Sequence, residues 1–215
     1  MTRAVVFDLD GVLVDSEPVW EEVRRSVVAE HGGHWRPDSQ RRLMGMSTPE
    51  WARYLSVDLG VGLPPAEVAD TVVARVARRY AQRLPLMPGA VDAVRRLGAV
   101  WPLGLASSAA RPLIDLVVAT AFPAAFAVTI STEEVGRGKP APDVYLAAAA
   151  RLGVDASACV AVEDSSNGLR SAHASGAAVV AVPHPRYPPD VDALATARLV
   201  LAGLDGLTVD AVREL

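Results

Sequence analysis

Residues 3–11, Arg3-Ala4-Val5-Val6-Phe7-Asp8-Leu9-Asp10-Gly11, run from a short β-branched apolar stretch straight into two acids and a glycine. The apolar stretch reads as a buried strand, and the acids stand at its carboxyl end. Taken alone, Asp and Gly after a strand mark no more than a turn. The chain that follows decides what this turn is for. From Pro18 to about Leu84 the pattern is helical, over 18–31, roughly 38–44, 49–59 and 65–83. Pro18, Pro49 and Pro65 fall in first turns, where a missing N–H costs nothing. Beyond Pro88-Gly89, helices at 90–97, 111–121, 141–152 and 167–175 alternate with strands at 102–107, 126–131, 159–163 and 178–182. A last strand at 198–201 leads to a terminal helix. Short apolar strands alternating with helices predict an α/β protein with a parallel sheet covered on both faces. Residues 1–17 and 85–215 then form the core, and 18–84 an all-helical domain inserted after the first strand.

Composition narrows the function. Of 215 residues, 51% are apolar and 21% charged, which excludes disorder as the dominant state. The net charge of −4, with no basic run, argues against nucleic acid and anionic membrane as partners. No apolar run reaches the ~20 residues of a spanning helix, and the opening does not resemble a signal peptide. The single cysteine, Cys159, has no partner for an internal disulfide and suits a core position, so a reducing cytoplasm is expected. Nothing calls for an obligate interface, and a monomer is expected. Lys139 is the one lysine among 21 basic residues. Where nearly every basic position has gone to arginine, a surviving ammonium points to a place that a planar guanidinium does not fit.

Ligands of parallel α/β sheets bind outside the carboxyl ends of the strands. There the chain delivers Asp8 and Asp10 from the first strand, Ser107 and Ser108 from the second, Lys139 after the third, and Glu163 and Asp164 from the fourth. Each taken alone is a turn or a helix cap. Four together are not. Carboxylates converging on one point repel unless a cation compensates them, and Mg²⁺ takes one or two carboxylates with waters and a phosphate oxygen. Lys139 and a serine hydroxyl beside a helix start suit a phosphoryl group. Asp8 is then a candidate nucleophile and the reaction a phosphoryl transfer. His31, His34, His173 and His184 show no ligand spacing and are expected in solvent. Met44, Met46, Trp20 and Trp51 lie in the insertion, which would face this edge.

These residues resemble the four ordered motifs of the haloacid dehalogenase superfamily. Phe7-Asp8-Leu9-Asp10-Gly11-Val12-Leu13-Val14-Asp15-Ser16-Glu17 is similar to the first motif and Ser107 to the second. Lys139 in Gly138-Lys139-Pro140-Ala141-Pro142-Asp143 is similar to the third, and Glu163-Asp164-Ser165 to the fourth. The resemblance spans the chain from Val5 past Val182. It implies a Rossmann-like core with a helical cap, with Asp8 as nucleophile and Asp10 as general acid and base. It also implies Mg²⁺ on Asp8, Asp164 and the Asp10 carbonyl, with Glu163 either a ligand or just behind. Ser107, Ser108 and Lys139 would hold the phosphoryl group.

The dehalogenases of the superfamily lack the second acid of the first motif, which Asp10 supplies here. β-Phosphoglucomutases carry a histidine where this chain has Trp20. They also carry an arginine after a Gly-X-Ser, where Gly45-Met46-Ser47 is followed by Thr48. That arginine grips the far phosphate of a bisphosphate, so its loss favours a phosphatase over a mutase. Arg41, Arg42 and Arg53 lie near enough in sequence to replace it. Ser16-Glu17-Pro18-Val19-Trp20 resembles the opening of bacterial sugar-phosphate phosphatases. The expected activity is hydrolysis of a small phosphorylated metabolite, with Trp20, Met46, Ser47 and Thr48 as candidate substrate contacts. A phospho-receiver domain uses similar groups, but it places the acidic pair on the first strand and carries no such insertion.

Overall fold

The computed structural model describes residues 1–44 and 46–215. Gly45, part of the Gly-X-Ser stretch above, lies outside the described residues. β1 (Ala4–Phe7) is central in a six-stranded sheet with β2 (Leu103–Ser107), β3 (Val128–Ser131), β4 (Cys159–Glu163), β5 (Ala178–Ala181) and β6 (Leu199–Val200). The order is β3-β2-β1-β4-β5-β6, and every pairing is parallel. The sheet is therefore doubly wound, and the chain switches direction across it at β1, where a crevice opens at the strand ends.

Period-two alternation builds two cores. Val5 and Phe7 of β1, Leu103 and Leu105 of β2 and Val160 and Val162 of β4 point to one face. There they pack with α5 (Ala90–Gly98) and α6 (Arg111–Ala121). Ala4, Val6, Cys159 and Ala161 point to the other, against α7 (Asp143–Arg151) and α8 (Ser166–Ala174). The small side chains of this second face bring α7 and α8 close to the sheet. The remaining short helices, α9 (Val191–Leu194) and α10 (Val209–Arg213), flank β6.

Between β1 and α5 the regular elements of the described residues are all helical: α1 (Glu17–Glu30), α2 (Ser39–Leu43), α3 (Thr48–Arg53), a π-helical turn (Tyr54–Asp58) and α4 (Pro65–Gln82). The outgoing and returning segments are laced together, Asp15 N–H donating to Pro85 O at 2.7 Å and Met87 N–H to Leu13 O at 3.0 Å. The insertion thus leaves and re-enters the core through one paired crossing.

Three sequence expectations change in detail. The helix expected over 49–59 is α-helical only to Arg53; Leu59 N–H reaches back five residues to Tyr54 O, widening the last turn into a π-helix. β3 starts at Val128, not at 126, because Phe126 turns its ring edge-on to Phe7 and Phe122. His184, expected in solvent, is buried. Its Nε2 lies 3.3 Å from Asp15 Oδ1, its Nδ1 accepts from Arg186 N–H, and its ring stacks on Tyr187.

Candidate active site

Register places the chemistry. Phe7 lies beside both Leu105 and Val162, so one residue further along, Asp8, Ala106 and Glu163 stand side by side at the carboxyl edge. Lys139, from the segment that precedes α7, reaches under them. Its Nζ donates to Asp8 Oδ1 at 2.8 Å, to the Ala106 carbonyl at 3.1 Å and to Glu163 Oε1 at 2.5 Å. An ammonium has three protons, and all three are used. Its side chain is 5% exposed, and the two carboxylates are buried with it. Burial pulls the lysine toward neutrality, but the charges and hydrogen bonds of Asp8 and Glu163 outweigh it and hold Lys139 charged.

Glu163 uses both oxygens inside the protein. Tyr145 OH donates to Oε1 at 2.7 Å, alongside Lys139. Oε2 accepts from the Asp164 N–H at 3.2 Å and from Ser165 Oγ at 3.3 Å. A Cβ on Gly168 would stand 1.9–2.1 Å from that carboxyl group, so only glycine fits beside it. Glu163 is thus a rigid anchor for the lysine. Ser165 also caps α8, accepting from Gly168 N–H.

Asp8, Glu163 and Asp164 each offer a carboxylate oxygen, and these atoms lie within 4.8 Å of one another. Oδ1 of Asp164 is buried with no hydrogen-bond partner among the described residues. Gly11, at φ +78°, leaves room for the same carboxylate, since a Cβ there would stand 1.9 Å from Asp164 Oδ2. Burial pushes the carboxyl groups of Asp8 and Asp164 upward, with Lys139 opposing and the neighbouring acids adding to it. Burial raises Asp10 as well. An unpartnered buried oxygen among closely spaced, desolvated acids is the donor set of a hard divalent cation, so the residues present fit Mg²⁺.

A cleft of about 420 Å³ opens above this floor, between the sheet edge and the helical insertion. Asp8, Asp10, Ser108, Lys139 and Asp164 line its base, and Trp20, Met46 and Thr48 its far wall. Ser107 lies just beneath: its hydroxyl is 3.5 Å from Asp10 Oδ2 and accepts from Ala109 N–H at 3.0 Å. Ser47, expected at the wall, instead caps α3, its N–H and hydroxyl both donating to Glu50 Oε2. Glu163, expected as a ligand or just behind one, is fully buried and held by Lys139, Tyr145 and Ser165.

The structure adds groups that sequence reasoning passed over. Tyr145 completes the hold on Glu163. Arg24 reaches the wall from α1, as does Arg41 of α2, which the sequence had offered as a phosphate grip, and Tyr187 to Asp190 close one side from the loop after β5. Asn167 is the chain's one asparagine and stands in the first turn of α8 on the cleft. Its rarity was the available signal.

The model of the haloacid dehalogenase-like hydrolases matches residues 2–176. Hexitol phosphatase B of Escherichia coli (strain K12) is 35% identical over 193 residues, 85% of this chain and 84% of its own. The probable pseudouridine-5'-phosphatase of Drosophila melanogaster is 34% identical over 209 residues, 93% of this chain and 88% of its own. The crystal structure of CbbY from Rhodobacter sphaeroides in complex with phosphate superposes with a TM-score of 0.87 at 25% identity, covering 99% of this chain and 100% of that one. A family model that spans both the first strand and the Glu163-Asp164 turn takes in every motif read above, and the chain belongs to the haloacid dehalogenase-like hydrolases.

Proposed function

We propose that the protein is a Mg²⁺-dependent phosphatase that hydrolyses a small phosphorylated metabolite, with a sugar phosphate the best candidate, through an aspartyl-phosphate on Asp8. The observation that carries the reading is the buried Lys139 bridge between Asp8 and Glu163, at the floor of a cleft that also holds Asp10 and Asp164. Phosphatases among the relatives support it.

In this reading Asp8 and Asp164 hold Mg²⁺, with the Asp10 carbonyl as a third donor and Glu163 behind them. The ion, when bound, offsets the charge that builds up on the phosphoryl oxygens. The chain does the rest. Lys139 favours the ionised form of Asp8 and fixes its direction. The Asp8 carboxylate attacks phosphorus; the P–O bond to the leaving group breaks, and Asp10 gives that oxygen its proton. Asp10, now ionised, takes a proton from the water that attacks the aspartyl-phosphate, releasing phosphate and restoring both acids. Ser107, Ser108 and the start of α6 would receive phosphoryl oxygens. Residues 18–84 act as a cap over the core of 1–17 and 85–215 and shelter the acyl-phosphate from bulk water. A monomer working in the cytoplasm belongs to the same proposal.

Phosphate release from a panel of phosphorylated sugars with Mg²⁺, compared with the Asp8→Asn protein, tests the reading. Arg24 and Arg41 on the wall favour a second one, a phosphosugar mutase that regrips a bisphosphate. Conversion of β-glucose 1-phosphate to glucose 6-phosphate, faster than phosphate release, would establish the mutase instead.

A further inference from the structure

Arg24 is a buried cation that its surroundings do not satisfy. It lies on α1 one turn beyond Trp20 and is 5% exposed, yet it borders the cleft. Its guanidinium lies 4.6 Å from the centroid of Trp20 and 5.2 Å from that of Trp51, rings that meet each other edge to face at 5.8 Å. Contact of this kind with the rings uses none of the guanidinium's five N–H bonds. The Nε–H is buried with no partner among the described residues.

The nearby acids act on Arg24 only through space. Glu17 takes a hydrogen bond from Gln40 at 2.6 Å, and Asp10 faces Ser107. Burial pulls the guanidinium down to about 10 in spite of both acids. A buried charge that lacks a hydrogen-bonding counterion is costly, and a protein holds one where a ligand completes it. A fork of donors resting against two indoles, on a cleft shared with Asp8 and Lys139, is shaped for an oxyanion.

We propose that Arg24 receives a second oxyanion of the substrate, a carboxylate or phosphate remote from the phosphoryl group that Asp8 attacks. The substrates are then phosphorylated metabolites with an acid at the far end. Arg24 touches the substrate and sets specificity without entering the bond-breaking steps. This inference rests on the phosphatase reading above.

The test measures kcat/KM of the full-length, Mg²⁺-loaded enzyme on glucose 6-phosphate, 6-phosphogluconate and glucose 1,6-bisphosphate, with p-nitrophenyl phosphate reporting the chemistry alone. At least one acid-ended substrate should exceed glucose 6-phosphate by tenfold or more, roughly the value of one charged hydrogen bond. The carboxylate and bisphosphate arms show which acid it is. In Arg24→Met that ratio should fall to about one, and Arg24→Lys should keep part of it, whatever happens to absolute rates. A merely structural role would slow all substrates alike and leave the ratio standing, which overturns the inference. Should Arg24→Met fail to fold, the wild-type ratio and Arg24→Lys decide. Turnover of p-nitrophenyl phosphate and glucose 6-phosphate with no preference for an acid overturns the inference alone. Release of phosphate from none of the four overturns the phosphatase reading, and the inference with it.

Discussion

Lys139 donates to Asp8, to the Ala106 carbonyl and to Glu163 at once, which leaves its ammonium no slack. That geometry explains why the chain keeps one lysine among so many arginines. A guanidinium is wider and forked, and in the same space it would push Asp8 off its line. Lys139→Arg should therefore lose on the order of 10²-fold in kcat although charge is conserved, since about 1 Å of misplacement costs that much. Turnover near wild type would make the lysine incidental. Cys159 gives a contrasting expectation. Burial among the small residues of β4 pushes its thiol up to about 11. At pH 8 a disulfide reagent should leave it untouched in the native protein and titrate it fully in denaturant. Rapid native labelling would contradict the packing.

The turn from β4 into α8 joins fold to chemistry at the scale of an element. Gly168 lets α8 start against the Glu163 carboxyl group, and Glu163 in turn holds Lys139. Gly168→Ala should force that carboxyl group aside. We expect a loss of about 1–3 kcal/mol in stability, the usual cost of overpacking, and a drop in kcat of at least about tenfold. Thermal unfolding and steady-state rates on one preparation check both, and an alanine variant with unchanged kcat would remove Glu163 from the catalytic arrangement. The elements themselves were legible in the sequence because strand and helix periods are local. Asp8, Asp10, Ser107, Ser108, Lys139 and Asp164 could be read as one site because strand ends of a parallel sheet share an edge. What escaped the sequence was set by distant contacts. His184 is buried through Asp15, 169 residues away. Arg24 faces the cleft because α1 docks with Trp20 turned toward Trp51 of α3. Ser47 looked like a substrate contact until the capping box with Glu50 claimed it.

At the scale of the whole molecule, the two cores lie on either side of the sheet and owe nothing to the acids at its edge. Removing divalent metal should therefore abolish turnover while leaving the circular dichroism of the fold intact. Mg²⁺ should restore activity and Ca²⁺ should do so poorly, because its longer, looser coordination relaxes the geometry. Turnover that survives exhaustive chelation would contradict the metal assignment. The central claim is that the phosphoryl group passes through Asp8. Asp10→Asn should slow hydrolysis of the acyl-phosphate, so this variant is the one in which the intermediate accumulates. The direct measurement is acid quench of Asp10→Asn mixed with Mg²⁺ and p-nitrophenyl phosphate, followed by peptide mass analysis. The account predicts the added mass of one phosphoryl group on the peptide carrying Asp8, absent when Asp8 is also changed to Asn. An unmodified Asp8 peptide alongside continuing phosphate release, or the phosphoryl group on any other residue, would contradict it.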